Sequence, residues 1–214
     1  MHLIWDWNGT LFDDHHIVVA AVNASLTAIA AEVQIDADGY RDHYQRPVRA
    51  FYDVLLGRDV TDPEWDTINT TFHDEYMDML HLAAPAPDAL TAAGYAVRRR
   101  LTQSILSMWT HQLLVPTVAG HGLSEMMVAV RGSDTARGDR KADLLARHLE
   151  ELPMNGEIRT VLIGDTFDDA AAAEALGIGC VFYNGGSHHR PELVATGLPV
   201  ADTLLEAIDL AADL

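Results

Sequence analysis

After Pro85-Ala86-Pro87 the sequence alternates short apolar runs with amphipathic stretches, and no other feature limits its fold as strongly. A helix is expected from Asp88 to Arg98-Arg99-Arg100, where clustered positive charge suits a helix C-terminus. A strand closes in Ile105-Leu106-Ser107, followed by a helix over 111–118, a strand over 126–130 and a strong helix over 141–152. The strand 160–163 runs into Gly164-Asp165, and a helix over 168–176, a strand over 178–182 and a helix over 202–212 complete the pattern. Such alternation implies a parallel sheet covered by helices on both faces and joined by right-handed crossovers. The chain opens on one more strand of this kind, Leu3-Ile4-Trp5, which ends in Asp6 and breaks into a turn at Asn8-Gly9.

From His15 to about Leu82 lies a block with no credible strand. Val18, Ala21, Val22, Leu26, Ile29 and Ala30 recur at helical spacing, as do Val48, Phe51, Tyr52 and Leu55 after Pro47. Asp62-Pro63-Glu64 opens a third helix, with Asp62 as its cap and acids complementing the dipole. The expected organisation is therefore a core of 1–14 and 87–214, interrupted by a helical subdomain at 15–86.

With 49% hydrophobic residues in 214, both parts can bury a core of their own. The formal charge of −18 repels a nucleic-acid backbone but leaves room for a small anion held by a cation and local donors. A single cysteine, Cys180, excludes an intrachain disulfide and sits in an apolar run as a core residue. The N-terminus lacks a basic region followed by a long apolar stretch, and no segment reaches the ~20 apolar residues of a membrane span. A soluble cytoplasmic protein, monomer or homodimer, is expected, with no nucleic-acid or membrane partner.

Ligands of an open parallel sheet bind outside the carboxyl ends of its strands. Asp6, Ser107 and Asp165 end predicted strands, and Lys141 opens a helix. Two carboxylates can hold a hard cation through oxygen, a lysine and a hydroxyl can neutralise phosphoryl oxygens, and one carboxylate can attack phosphorus.

These residues also carry a resemblance. Asp6-Trp7-Asn8-Gly9-Thr10-Leu11-Phe12-Asp13 resembles the first motif of the haloacid dehalogenase superfamily, DxDGTLxD, apart from Asn8. Ile105-Leu106-Ser107 resembles the second motif, Lys141 the third, and Gly164-Asp165-Thr166-Phe167-Asp168-Asp169 the fourth, GDxxxD. Taken in order along nearly the whole chain they are far more specific than any one alone. The helical insertion resembles the small cap of the phosphoglycolate phosphatase-like branch. The implied fold is α/β, with a Rossmann-like parallel-sheet core, helices on both faces and an inserted small all-helical cap.

The resemblance implies a Mg²⁺-dependent phosphatase acting on a small phosphorylated metabolite through an aspartyl-phosphate. Asp6 would be nucleophile and metal ligand, residue 8 a ligand through its backbone carbonyl, Asp165 a direct ligand and Asp169 one acting through water. Ser107, Met108 and Lys141 would bind the phosphoryl group, and Thr10 would fix the first-motif turn. Ser104 and Thr110 are alternatives to Ser107, Arg137 and Arg140 to Lys141, and Asp168 to Asp169. In the cap, Arg41, His43, Tyr44, Arg46 and Arg49 form the most basic stretch, suited to reading a leaving group.

One departure matters. The family places at position 8 an Asp that protonates the leaving oxygen and later activates water, and here stands Asn8, which cannot transfer a proton. Such help is typically worth ~10²–10⁴-fold. Either the leaving group needs little protonation, or Asp14, His15, His16 or His111 serves instead, or the protein binds metal and phosphate with little turnover. Transfer to an acceptor other than water is a further alternative.

Overall fold

A computed structural model describes residues 1–134, 140–153 and 158–214. Six parallel strands make one sheet: β1 (His2–Trp5), β4 (Thr102–Thr110), β5 (Val130–Ser133), β6 (Thr160–Gly164), β7 (Gly179–Tyr183) and β8 (Val200–Ala201), in the order β5-β4-β1-β6-β7-β8. Two short strands, β2 (Phe12–Asp13) and β3 (Ala84–Pro85), form a separate two-stranded sheet. The first strand is thus central, and β4 and β6 flank it, so Asp6 emerges in the middle of the sheet's carboxyl edge.

The period-two alternation of the strands supplies two apolar faces. On one, α7 (Lys141–Glu151) and α8 (Phe167–Ala175) lay Leu144, Leu145, Ala172 and Ala173 on Ile4, Leu106, Leu162 and Cys180. On the other lie α5 (Ala89–Arg98) and α10 (Leu204–Asp213), which pack together. There Gln103 accepts from Trp5 Nε1 at 3.0 Å and donates to Ala93 O at 2.9 Å, closing a polar pair inside an apolar layer. The parallel α/β core with helices on both faces is the one expected.

A second polar group is buried on the α7 face, near where the strands begin. His2 Nδ1 lies 2.9 Å from Thr102 Oγ1 and Nε2 2.8 Å from Ser104 Oγ, which also meets His148 Nε2 of α7 at 2.7 Å. Burial holds both imidazoles neutral, pushed down to about 4.

By contacts the chain divides into two compact units, residues 1–13, 85–186 and 190–214 in one and 14–84 with 187–189 in the other. The second unit contains α1 (His15–Ala28), α2 (Ala37–His43), α3 (Val48–Leu56) and α4 (Asp62–Met79). Val22, Leu26, Tyr40, Phe51, Tyr52, Val60 and Ile68 form its core. Tyr40 stacks on Tyr44 at 5.1 Å, and Tyr44 meets His188 at 5.6 Å.

Three expectations shift. The strand placed at 126–130 begins only at Val130, because Ser124–Met126 first close a 3-10 turn. The cap of α4 is Thr61 rather than Asp62, since the Glu64 carboxylate accepts from Thr61 N at 3.0 Å and Oγ1 at 2.8 Å and draws Asp62 into the first turn. A helix, α6 (His111–Gly120), follows β4 as expected, but α2, α9 (Arg190–Ala195), β2, β3 and β8 are additions. Among the described residues no helix is long and apolar enough to cross a membrane.

Candidate active site

The first-motif turn is held by its own backbone and by its neighbour strand. Asp6 N donates to Ile163 O of β6 at 2.8 Å, which ties the residue to the sheet just beyond β1. Thr10 N and Phe12 N both donate to Trp7 O, at 3.1 and 2.9 Å. Trp7 and Phe12, fully buried, stack at 4.9 Å and anchor the two limbs. Gly9 has φ +71°, and a Cβ there would lie 2.7 Å from Asp165 Oδ2, so both conformation and space exclude a side chain. Thr10 Oγ1 donates to Asp165 Oδ1 at 3.1 Å and fastens the turn to the end of β6.

Asp165 follows β6, and Asp169 lies in the first turn of α8. The Asp169 carboxylate accepts from Thr166 N at 3.0 Å and Oγ1 at 2.6 Å, a reciprocal cap that fixes its rotamer. A Cβ at Gly164 would collide with Asp169, and one at Gly186 with Asp165. The two glycines therefore let backbone close around the acids. Lys141, at the start of α7, places Nζ 2.8 Å from Asp6 Oδ1 and 2.5 Å from Asp169 Oδ1. Carboxylate oxygens of Asp6, Asp165 and Asp169 lie within 4.8 Å of one another, and all three residues are buried.

Three buried carboxylates thus face one ammonium. Burial, with Asp169 and Asp165 adding to it, pushes the Asp6 carboxyl up to about 8 against the pull of Lys141. For Lys141 burial opposes the charge, but Asp169 and Asp6 outweigh it and hold the ammonium above the ordinary lysine value. A donor set of carboxylate oxygens with excess negative charge suits a hard divalent cation, which would favour the ionised form of each acid.

Ser107 lies inside β4, where the pairing with β5 loses register between Leu106 and Thr110. Its Oγ donates to Asn8 Oδ1 at 3.3 Å and accepts from Trp109 N at 3.0 Å. Asn8, Thr10 and Ser107 thereby join Asp6, Lys141, Asp165 and Asp169 at one edge. The Met108 side chain does not, since it packs against the core of Ile4 and Leu106, leaving only its backbone for an anion. Ser104 belongs to the histidine network, and Thr110 is exposed at the end of β4. Arg140 is exposed and pairs with Asp143, and Arg137 lies outside the described residues. Asp168 is half-buried while Asp169 faces Lys141.

Three of the four other candidate proton carriers have structural partners. His111 Nδ1 accepts from Gly132 N at 3.2 Å, and the Asp14 carboxylate accepts from Tyr76 OH at 2.8 Å. The His15 ring meets the Tyr40 ring edge-on at 5.0 Å, whereas His16 is exposed. In the helical unit Arg41 pairs with Asp38 at 3.4 Å and Arg49 with Asp62 at 2.8 Å, so part of the basic stretch is neutralised locally.

A model of the haloacid dehalogenase-like hydrolase family matches residues 1–177 of the 214. The chain belongs to that family. Solved structures agree on the fold of this haloacid dehalogenase-like hydrolase at low identity. A haloacid dehalogenase-like family protein from Streptococcus pneumoniae superposes with a TM-score of 0.82 and 16% identity, covering 97% of this chain and 96% of its own. A predicted phosphoglycolate phosphatase from Haemophilus somnus gives 0.77 and 11%, covering 97% and 96%. CbbY from Rhodobacter sphaeroides in complex with phosphate gives 0.71 and 18%, covering 96% and 95%. No curated protein sequence matches. Thr166, Gly164 and Gly186 had no assigned role in the sequence. Thr166 was legible from its spacing to Asp169, whereas the glycine contacts depend on the assembled sheet.

Proposed function

We propose that this hydrolase is a Mg²⁺-dependent phosphatase that cleaves a small-molecule phosphate ester through an aspartyl-phosphate on Asp6. The observation that carries it is the cluster itself: Asp6 paired with Lys141 at 2.8 Å and gathered with Asp165 and Asp169 within 4.8 Å. These three buried carboxylates, two of them on the Lys141 ammonium, form an oxygen donor set suited to a hard cation. CbbY, on the same fold, was solved in complex with phosphate, which supports a phosphorylated ligand for this chain.

In this reading Asp6, Asp165, Asp169 and the carbonyl of residue 8 hold the cation. When bound, it supplies charge neutralisation between substrate and carboxylates. Asp6 attacks phosphorus in line, held by its backbone bond to β6 and by Lys141. Lys141 and Ser107, with the Met108 backbone N–H, bind phosphoryl oxygens. The helical unit would act as the cap that selects the substrate.

A panel of phosphorylated metabolites and aryl phosphates, assayed for free phosphate with Mg²⁺ and after dialysis against EDTA, tests the proposal. Phosphate should be released only with the cation, and Mg²⁺ should raise the melting temperature of the wild type but not of Asp165→Ala. Undiminished turnover in excess EDTA would overturn the metal assignment.

A further inference from the structure

Among the described residues, the side chains that the strand ends and helix starts bring together contain four titratable groups, Asp6, Lys141, Asp165 and Asp169, and each already holds a partner. Lys141 bridges Asp6 and Asp169, Asp165 accepts from Thr10, and Asp169 accepts from Thr166. The remaining polar side chains there, Asn8, Thr10 and Ser107, do not exchange protons at neutral pH. Asn8 follows Asp6 by two residues, and its amide carbonyl is turned to Ser107 Oγ at 3.3 Å. His111, in the first position of the helix after the Ser107 strand, has its Nδ1 engaged by Gly132 N.

We propose that Asn8 restricts this site to phosphoryl donors whose leaving oxygen departs without a proton, namely aryl, enol or acyl phosphates, and that it leaves Asp6 phosphorylated between turnovers. The inference rests on the phosphatase reading above and names its substrate class. In the first half-reaction an Asp6 carboxylate oxygen bonds to phosphorus while the bond to the leaving oxygen breaks. The electron pair goes with that oxygen, which departs as an anion. A phenol gives up its proton near ~10 and a carboxylic acid near ~4, against ~16 for water. An aryloxide or carboxylate can therefore leave as the anion where an alkoxide cannot. In the second half-reaction water attacks phosphorus, the bond to Asp6 breaks to restore the carboxylate, and the water proton passes to solvent with inorganic phosphate released. Among the described residues every titratable side chain at this edge is already held by a partner, so this half-reaction is the slower one for an activated donor.

Stopped-flow assays of the full-length Mg²⁺-loaded enzyme with aryl phosphates of graded leaving-group acidity, with acetyl phosphate and with a simple alkyl phosphate test this. The aryl donors should give a burst of phenol approaching one equivalent of enzyme and then a common, slower steady rate. Intact-mass measurement of enzyme quenched in that phase should find one added phosphoryl group. The alkyl ester should turn over ~10²-fold or more slowly, and Asn8→Asp should recover much of that loss and abolish the burst. The native leaving-group series stands alone if Asn8→Asp does not fold. Equal rates on alkyl and aryl esters without a burst would overturn the inference and leave the phosphatase reading intact. Absence of phosphate release from every donor, acetyl phosphate included, would overturn both.

Discussion

His2 and Asp6 mark the two ends of the first strand's run, and each anchors a buried polar cluster of opposite character. At His2, two imidazoles and two hydroxyls form a chain, Thr102–His2–Ser104–His148, in which each group has a neighbour at 2.7–2.9 Å. The cluster is neutral and closed. At Asp6, three carboxylates meet one ammonium, and the charge does not balance. Burial disfavours the charged form of His2, His148 and Asp6 alike. For the histidines that cost is avoided by staying neutral, whereas Asp6 must be ionised to pair with Lys141 and to act. Buried polarity is therefore no mark of a site, but buried carboxylates crowded within reach of one another are.

The comparison breaks most visibly at Asp6. Asp6→Asn should lower turnover roughly 10⁴-fold, yet leave the unfolding free energy in urea equal or higher, because one crowded charge disappears. Turnover within tenfold of wild type would move the nucleophile elsewhere. His148→Ala should do the reverse. It opens a cavity and strips Ser104 of a partner, costing about 2–4 kcal/mol in urea, while kcat of the folded variant changes by no more than about twofold. A variant as stable as wild type would show that the network contributes nothing.

Acid sharpens the same contrast. Both histidines sit at about 4 in the fold against an ordinary 6.5, so between those values the unfolded chain binds more protons. Their contribution is whole above pH ~6.5 and is lost as pH falls toward ~4. Each accounts for on the order of 3 kcal/mol, and together less than twice that because they share Ser104. Urea unfolding across this range should show the decline, and His148→Gln should flatten it. An equal decline in the variant would place the acid sensitivity elsewhere.

What was legible in the sequence follows from how local each cause is. The turn after Asp6 depends on residues 6 to 13 alone, and the placement of Lys141 at a helix start depends on one helical pattern. Ser107 was expected at a strand end, but β4 runs on to Thr110, because the change is a register slip against β5 that no single strand encodes. The helix cap at Thr166 was readable in spacing. The His2–Ser104–His148 network was not, since it needs the register of β1 on β4 and the docking of α7. The late strand β8 is two residues long, too short for any periodic signal.

The central place of β1 also dictates when the molecule can assemble. His2 pairs with Thr102 on one side and Thr160 on the other, so the opening strand is flanked by chain made much later. On a ribosome it must wait, solvent-exposed, through the synthesis of the helical block, whose main packing, α1 on α4, lies within residues 15–79 and can close before β4 is made. The sheet then condenses around a segment held in reserve, and the last-made strands decide the rate. Trp5 and Trp7, buried beside that strand's end, give a fluorescence clock for the event. Delayed protection of these two tryptophans relative to Trp65 of the helical unit is the kinetic signature such a topology implies.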